Sequence, residues 1–319
     1  MDVTVEHVID AWYKSWGSKH RKGIDKMLPH WKNQLGKEIL SIPIEVATLA
    51  IWRHHIEDLS ERLSTGSART IFSELKSILN WGLRNELFFN ANFTKLKRSD
   101  YIGRYNGRER FLSMKEVARV WNITHEPHKN LGFLPRLVIQ LCLIYGNRLS
   151  ELVFAEKSHF DLETMVWTVP KELSKGGHVE IRRPIIEPAL PIIMDIMAAS
   201  PNSKYMFPTS YSKKEDKPVT KARYSKVAKI VRDIAPDMDH WIIHDFRRTL
   251  KTHLSERRVP YEVTEKMLGH VIPGIASIYD KSSLLDMMKE SYNQWYDDIE
   301  LAAAKERGEH SNVFAINAR

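Results

Sequence analysis

A chain of 319 residues has room for two domains of ordinary size, each able to bury its own core. Its 48 Lys and Arg against 40 Asp and Glu leave a formal charge of +8, an excess that points to a polyanionic partner, with nucleic acid the first choice. One cysteine and no apolar run of bilayer length exclude a disulfide scaffold and a membrane span, and the acidic start MDVTVEHVID excludes a signal peptide, so a cytoplasmic location is expected.

Residues 1–24 open on an amphipathic helical pattern of Val5, Val8, Ile9, Trp12 and Trp16 that ends in the basic Lys19 to Lys22. Helices are expected over 44–63, with Trp52, Ile56, Leu59 and Leu63 on one stripe, and over 67–85. Thr65, Gly66 and Ser67 separate them, and Ser67 fits either an N-cap or a residue laid against a DNA backbone. Lys95 to Arg110 is dense in basic residues without apolar periodicity and reads as a linker. Residues 1–105 are therefore expected to form a helical domain, with a basic linker to about 110.

The character changes at Phe111. Ser113 is placed to cap a helix through Val117 and Trp121, and Leu134 to Tyr145 is an apolar core helix holding Cys142 and ending at Gly146. The period then switches to two in 165–169 and 178–182, around Lys175-Gly176-Gly177, which predicts a β-hairpin with a lysine at its tip and Lys171 at the preceding strand end. Helices follow over 190–199 and 219–234. The basic face of the second, Lys221, Arg223, Lys226, Lys229 and Arg232, suits a major groove and a solvated surface equally. A last helix from Ser282 carries Leu284, Leu285, Met288, Tyr292, Trp295 and Ile299 on one side, a stripe that needs a host in its own domain or on a neighbouring copy. The second domain is expected over 111–300, with 301–319 a disordered tail.

The chemistry concentrates between His244 and Tyr279. His244 and Arg247 stand three apart on one helical face and can reach one ligand atom together. A second helix from Pro260 should stop at Gly269, leaving His270 at its end, and the turn Pro273-Gly274 leads to Tyr279. His244-x-x-Arg247, Leu268-Gly269-His270 and a Tyr nine positions on, preceded by Gly146-Asn147-Arg148-Leu149-Ser150-Glu151-Leu152, resemble the tyrosine recombinase (phage integrase) family. The resemblance is strong over about 111–300 and loose over 1–105.

That resemblance implies a mainly α fold with a small antiparallel β-sheet, made of a helical core-type DNA-binding domain and a catalytic domain. It implies a site-specific recombinase that cleaves and rejoins DNA through a 3′-phosphotyrosyl intermediate. By position in the motifs, Arg148 and Arg247 would hold the scissile phosphate and His270 would add a hydrogen bond. His244 would exchange the proton of the nucleophile Tyr279, and Lys175 would protonate the leaving 5′ oxygen, with Lys171 as rival. Glu151 reads as an acceptor that orients an arginine rather than as a catalyst. The bond energy stays in the phosphotyrosyl link, so no metal or nucleotide cofactor is expected. The implied partners are double-stranded DNA with a specific recombination site, further copies of the chain in a tetrameric synapse, and host DNA-bending proteins. Arg258, Pro273, Gly274 and Ala276 depart from the family pattern around the loop before the nucleophile. No counterpart is read for the arm-binding domain that many members carry in front, so a short form or a truncated chain is expected.

Three other readings compete. A metal-dependent hydrolase would use His240 and His244, four apart, yet no Glu stands beside them and no carboxylate cluster accompanies them. A non-catalytic DNA-binding module would have no use for the full set of Arg, His and Tyr. A type IB topoisomerase shares the chemistry and differs in relaxing supercoiled DNA without a specific site.

Overall fold

A computed structural model describes residues 2–21, 23–104, 107–175, 179–209, 215–270 and 284–309. The chain divides into two compact units, Met1–Arg108 and Glu109–Arg319.

The first unit is helical. Helix α1 (Val5–Trp12) begins with a capping box between Thr4 and His7 and runs on as a π-helical segment, Tyr13–Gly17. Helix α2 (Ile24–Leu40) is interrupted at Gly36, whose φ of 77° no helix accommodates. Helix α3 (Leu49–Arg62) starts later than its apolar pattern implies, because Pro43 and a 3₁₀ turn at Ile44–Val46 precede Thr48, whose hydroxyl accepts from Ile51 N. Helix α4 (Thr65–Arg84) is capped by Ser64, which accepts from Ser67 N. Ser67 is thus the third helical residue and not the cap. Trp52, Ile56, Leu59, Phe72 and Leu79 close the core, with Trp52 edge-on to Phe93 at 4.7 Å. The expected linker also contributes: Leu96 and Ile102 are buried in that core, and Lys76 Nζ donates to the carbonyls of Thr94 and Leu96 at 2.9 and 2.6 Å. Anchored this way, residues 95–102 belong to the folded unit.

The second unit is built around helix α6 (Phe133–Tyr145), whose residues from Leu137 onward are all buried. Helix α5 (Met114–His125) opens with the expected capping box, Ser113 accepting from Glu116 N while Ser113 N donates to the Glu116 carboxylate at 2.9 Å. Short α7 (Leu149–Val153) leads to a three-stranded antiparallel sheet, β1 (Phe160–Asp161), β2 (Val166–Val169) and β3 (Ile181–Pro184), in that order. Val169 faces Ile181 and Val166 faces Pro184. The hairpin is therefore real but its turn is long. Residues 170–180 connect the strands through a 3₁₀ turn at Lys171–Leu173, and β3 starts three residues later than expected. Val179 suggested an alternating strand, yet it is exposed.

Helix α8 (Leu190–Ala198) follows, and the helix expected over 219–234 is two, α9 (Lys221–Ser225) and α10 (Val227–Ile234). Helices α11 (Ile243–Glu256) and α12 (Tyr261–Met267) carry the histidine motifs. The last helix, α13 (Leu285–Glu306), packs on α5 in the same core, with Met288, Tyr292, Trp295, Ile299 and Ala303 buried. Its apolar stripe finds its host within its own unit. Residues 301–306, expected in the tail, belong to this helix, and residues 310–319 lie outside the described residues. Among the described residues no helix is long and apolar enough to cross a membrane.

Candidate active site

Three segments of the second unit converge. The first begins where Gly146 closes α6 with φ of 56°. A Cβ there would stand 2.7 Å from Leu250 Cδ2 and 3.5 Å from the Arg247 Cα, so glycine is what lets this corner approach α11. Arg148 follows as the residue before α7, its Nη1 donating to Glu151 Oε1 at 2.6 Å. Glu151 has no solvent exposure. Its burial alone would raise its pKa, but Arg183 and Arg148 outweigh that, and the carboxyl is held below its ordinary value. The expected orienting role of Glu151 matches this contact. Arg183, its second partner, was not anticipated from sequence.

The second segment is α11. Arg247 is 5% exposed and donates from Nη1 to the Gly146 carbonyl at 3.2 Å, while its Nη2 is buried with no hydrogen-bond partner among the described residues. Burial, then the neighbouring guanidiniums of Arg148 and Arg183, push its pKa down to about 9. His244, one turn earlier, is exposed, and its pKa is lowered by desolvation and then by Arg248, Arg247 and Arg148. The helix start is fixed by the fully buried Asp245, which accepts from Ile242 N at 2.9 Å and from Arg248 at 2.7 Å.

The third segment ends α12. Gly269 has φ of 63°, and a Cβ there would strike Ile181 of β3 at 2.4 Å, so only glycine lets this corner sit against the sheet. His270 Nδ1 lies 2.6 Å from Glu265 Oε2, and Lys251 of α11 holds the other oxygen at 2.7 Å. Desolvation and then Arg247 lower the His270 pKa, although Glu265 opposes them. Glu265 was likewise missed in the sequence, where a helical Glu five residues before a His has no distinguishing mark.

The structure thus brings together Arg148, His244, Arg247 and His270, each imidazole feeling the charge of both arginines. Lys175 and Lys171 are both exposed, and neither side chain makes a hydrogen bond to the cluster among the described residues. Tyr279 lies outside the described residues, as do Pro273, Gly274 and Ala276. Among the described residues no group of three or more His, Cys, Asp or Glu is gathered to hold a metal ion. His240 and His244 form no such cluster.

The phage integrase family matches residues 110–284, more than half of the chain and all three converging segments. The chain belongs to the phage integrase family. It is a tyrosine-type DNA recombinase. The fold of this integrase is similar to that of the Tn1549 transposon integrase in complex with circular intermediate DNA, with a TM-score of 0.65 and 15% identity over 90% of this chain and 98% of that one. It is also similar to a lambda integrase dimer bound to a COC′ core site, with a TM-score of 0.64 and 16% identity over 84% of this chain and 95% of that one. A lambda integrase tetramer bound to a Holliday junction gives a TM-score of 0.65 and 16% identity over 84% and 77%. No curated protein sequence matches the integrase.

Proposed function

We propose that this integrase cleaves one strand of a specific DNA site with Tyr279, using Arg148, Arg247, His244 and His270 to hold and protonate around the scissile phosphate. The Tyr279 oxygen attacks phosphorus, its proton passing to His244, which desolvation and then the surrounding arginines favour as the neutral, proton-accepting imidazole. Arg148 and Arg247 take up charge growing on the non-bridging oxygens. His270, gripped at Nδ1 by Glu265, turns Nε2 toward the phosphate. The 5′ oxygen departs with a proton from Lys175, leaving a 3′-phosphotyrosyl link, and a different 5′ hydroxyl reverses the step. The observation that carries the reading is the buried Nη2 of Arg247, without a partner among the described residues and beside the guanidiniums of Arg148 and Arg183: a phosphate oxygen would supply the missing acceptor.

The first unit would bind the flanking duplex. Arg69, Arg98 and Arg104 line one cleft there, suited to phosphate backbone. A tetramer on DNA would carry out strand exchange, a reading that the lambda integrase tetramer bound to a Holliday junction supports; host bending proteins would assist it.

A binding site selected from a pool of random duplexes, then rebuilt as a nicked suicide substrate, tests the reading. The chain should form a denaturation-stable protein–DNA adduct that Tyr279→Phe abolishes while its site binding is kept. An adduct from Tyr279→Phe refutes the nucleophile. Relaxation of supercoiled plasmids lacking the selected site would identify a topoisomerase instead.

A further inference from the structure

Among the described residues Arg183 is the one arginine with no solvent exposure, and the mechanism above gives it no role. It sits on β3 beneath the site, too deep to touch DNA. Its Nη2 donates to Glu151 Oε2 at 2.9 Å, and its Nε donates to the Met267 carbonyl at 2.9 Å. The guanidinium stacks over Trp167 at 5.1 Å. The same Met267 carbonyl accepts from the Tyr292 hydroxyl at 3.1 Å, which pins the end of α12 from the other side. An unbroken path therefore runs from Arg148 through Glu151 and Arg183 to the residue three before His270. Burying an ion costs several kcal/mol of desolvation, roughly, and an apolar side chain of like size would pack this strand without that cost.

We infer that Arg183 is a positioning residue for strand cleavage, holding Glu151, and through it Arg148, in register with the Met267 to His270 corner. The inference rests on the proposed roles of Arg148 and His270. Two effects follow from the geometry. With Oε2 taken by Arg183 and by the Arg148 backbone N–H, Glu151 gives the Arg148 guanidinium a single oxygen and leaves the rest of that fork for phosphate. One carboxylate shared between two guanidiniums also leaves a net positive charge at Arg148. Without Arg183, Glu151 turns both oxygens to Arg148, and the neutralised pair attracts phosphate less.

The test compares Arg183→Met, Arg183→Lys and Arg148→Ala on the selected suicide duplex and on the same duplex with a methylphosphonate at the scissile position. The methylphosphonate removes the negative charge that Arg148 would hold. Arg183→Met should bind the site within about twofold of the parent yet cleave about ten- to a hundredfold slower, the range of a lost supporting contact. That deficit should largely disappear on the methylphosphonate duplex, as it should for Arg148→Ala. Arg183→Lys, which keeps the charge but cannot bridge Glu151 and Met267, should fall between, and it carries the comparison alone if Arg183→Met does not fold. Equal deficits on both duplexes, or a deficit that follows only the folded fraction in thermal denaturation, would overturn the inference. An Arg148→Ala variant as fast as the parent would overturn the proposed roles instead.

Discussion

The two units bury different things. Among the described residues every buried side chain of the first unit is apolar, whereas all the buried polar and charged ones lie in the second, Glu151, Arg183, Asp245, Arg247 and Glu265 among them. Both units are helical and both close a core of tryptophans and branched aliphatics, so folding alone does not ask for buried charge. The contrast teaches that the second unit's interior holds ion pairs that packing alone does not require. The first unit is held by packing, and its charge stays on the surface.

The sharpest way to break that contrast is to remove the central cation. Arg247→Met should slow cleavage by about a hundred- to a thousandfold, the range for a lost charge-stabilising donor. Its thermal midpoint should not fall, because the variant loses a buried cation with an unpartnered nitrogen and like-charged neighbours. A protein that unfolds on this substitution would mean that Arg247 holds the fold rather than the phosphate.

Next in size comes a matched pair of destabilising changes. Glu151→Ala strands Arg183 and should cost about 3–5 kcal/mol in denaturant titration, and adding Arg183→Met should recover much of it. Ile56→Ala in the first unit should cost about 2–5 kcal/mol through the cavity it leaves, and removing a charge elsewhere should not recover it. Additive losses for Glu151 and Arg183 would show that they do not act as a pair.

A smaller effect is read in pH. The His244 and His270 pKa values are lowered from 6.5 in the folded, DNA-free chain, so between the folded values and 6.5 the unfolded chain binds more protons. Both imidazoles are neutral above 6.5, where this contribution to stability is fully present. It is lost as pH falls from 6.5 through the lowered folded values. Denaturant midpoints measured across that interval should decline less steeply for the His244→Asn/His270→Asn double variant. An unchanged acid limb would show that desolvation and the arginines together do not lower these rings.

What was legible in the sequence follows the same division. Helices and core came from periodicity, which reports apolar burial and little else. Arg148, His244, Arg247 and His270 were singled out by the resemblance of their compact motifs to the family's, and the structure gathers these four, each imidazole feeling both arginines. Arg183 was not: on a strand it is one of two adjacent arginines, and only the packing of β3 under α7 and α12 decides which turns inward. The strand expected from 178 took in Val179, whose apolar side chain is left in solvent, while β3 is Ile181–Pro184. The linker was misjudged because Leu96 and Ile102 anchor their segment without any period of their own.

The smallest expected effect lies at two helix starts, where the contrast between units should vanish. Ser64 begins α4 with one hydroxyl accepting from Ser67 N at 3.4 Å, whereas Ser113 begins α5 inside a reciprocal box with Glu116, which Arg110 also grips. Both caps are exposed at the surface, so neither depends on what its unit buries, and each Ser→Ala change removes an acceptor from a free backbone N–H. Ser64→Ala should cost toward the low end of about 0.5–2 kcal/mol and Ser113→Ala toward the high end, because the second also releases the Glu116 carboxylate from the Ser113 hydroxyl. Cleavage per folded molecule should be unchanged in both. If Ser113→Ala instead slowed cleavage in fully folded protein, the start of α5 would be coupled to the site through the Leu112 amide, which donates to Thr249 of α11 at 2.9 Å. Surface caps in the second unit would then share the work its buried charges do, and the division between packing and chemistry would run through the unit rather than between the two.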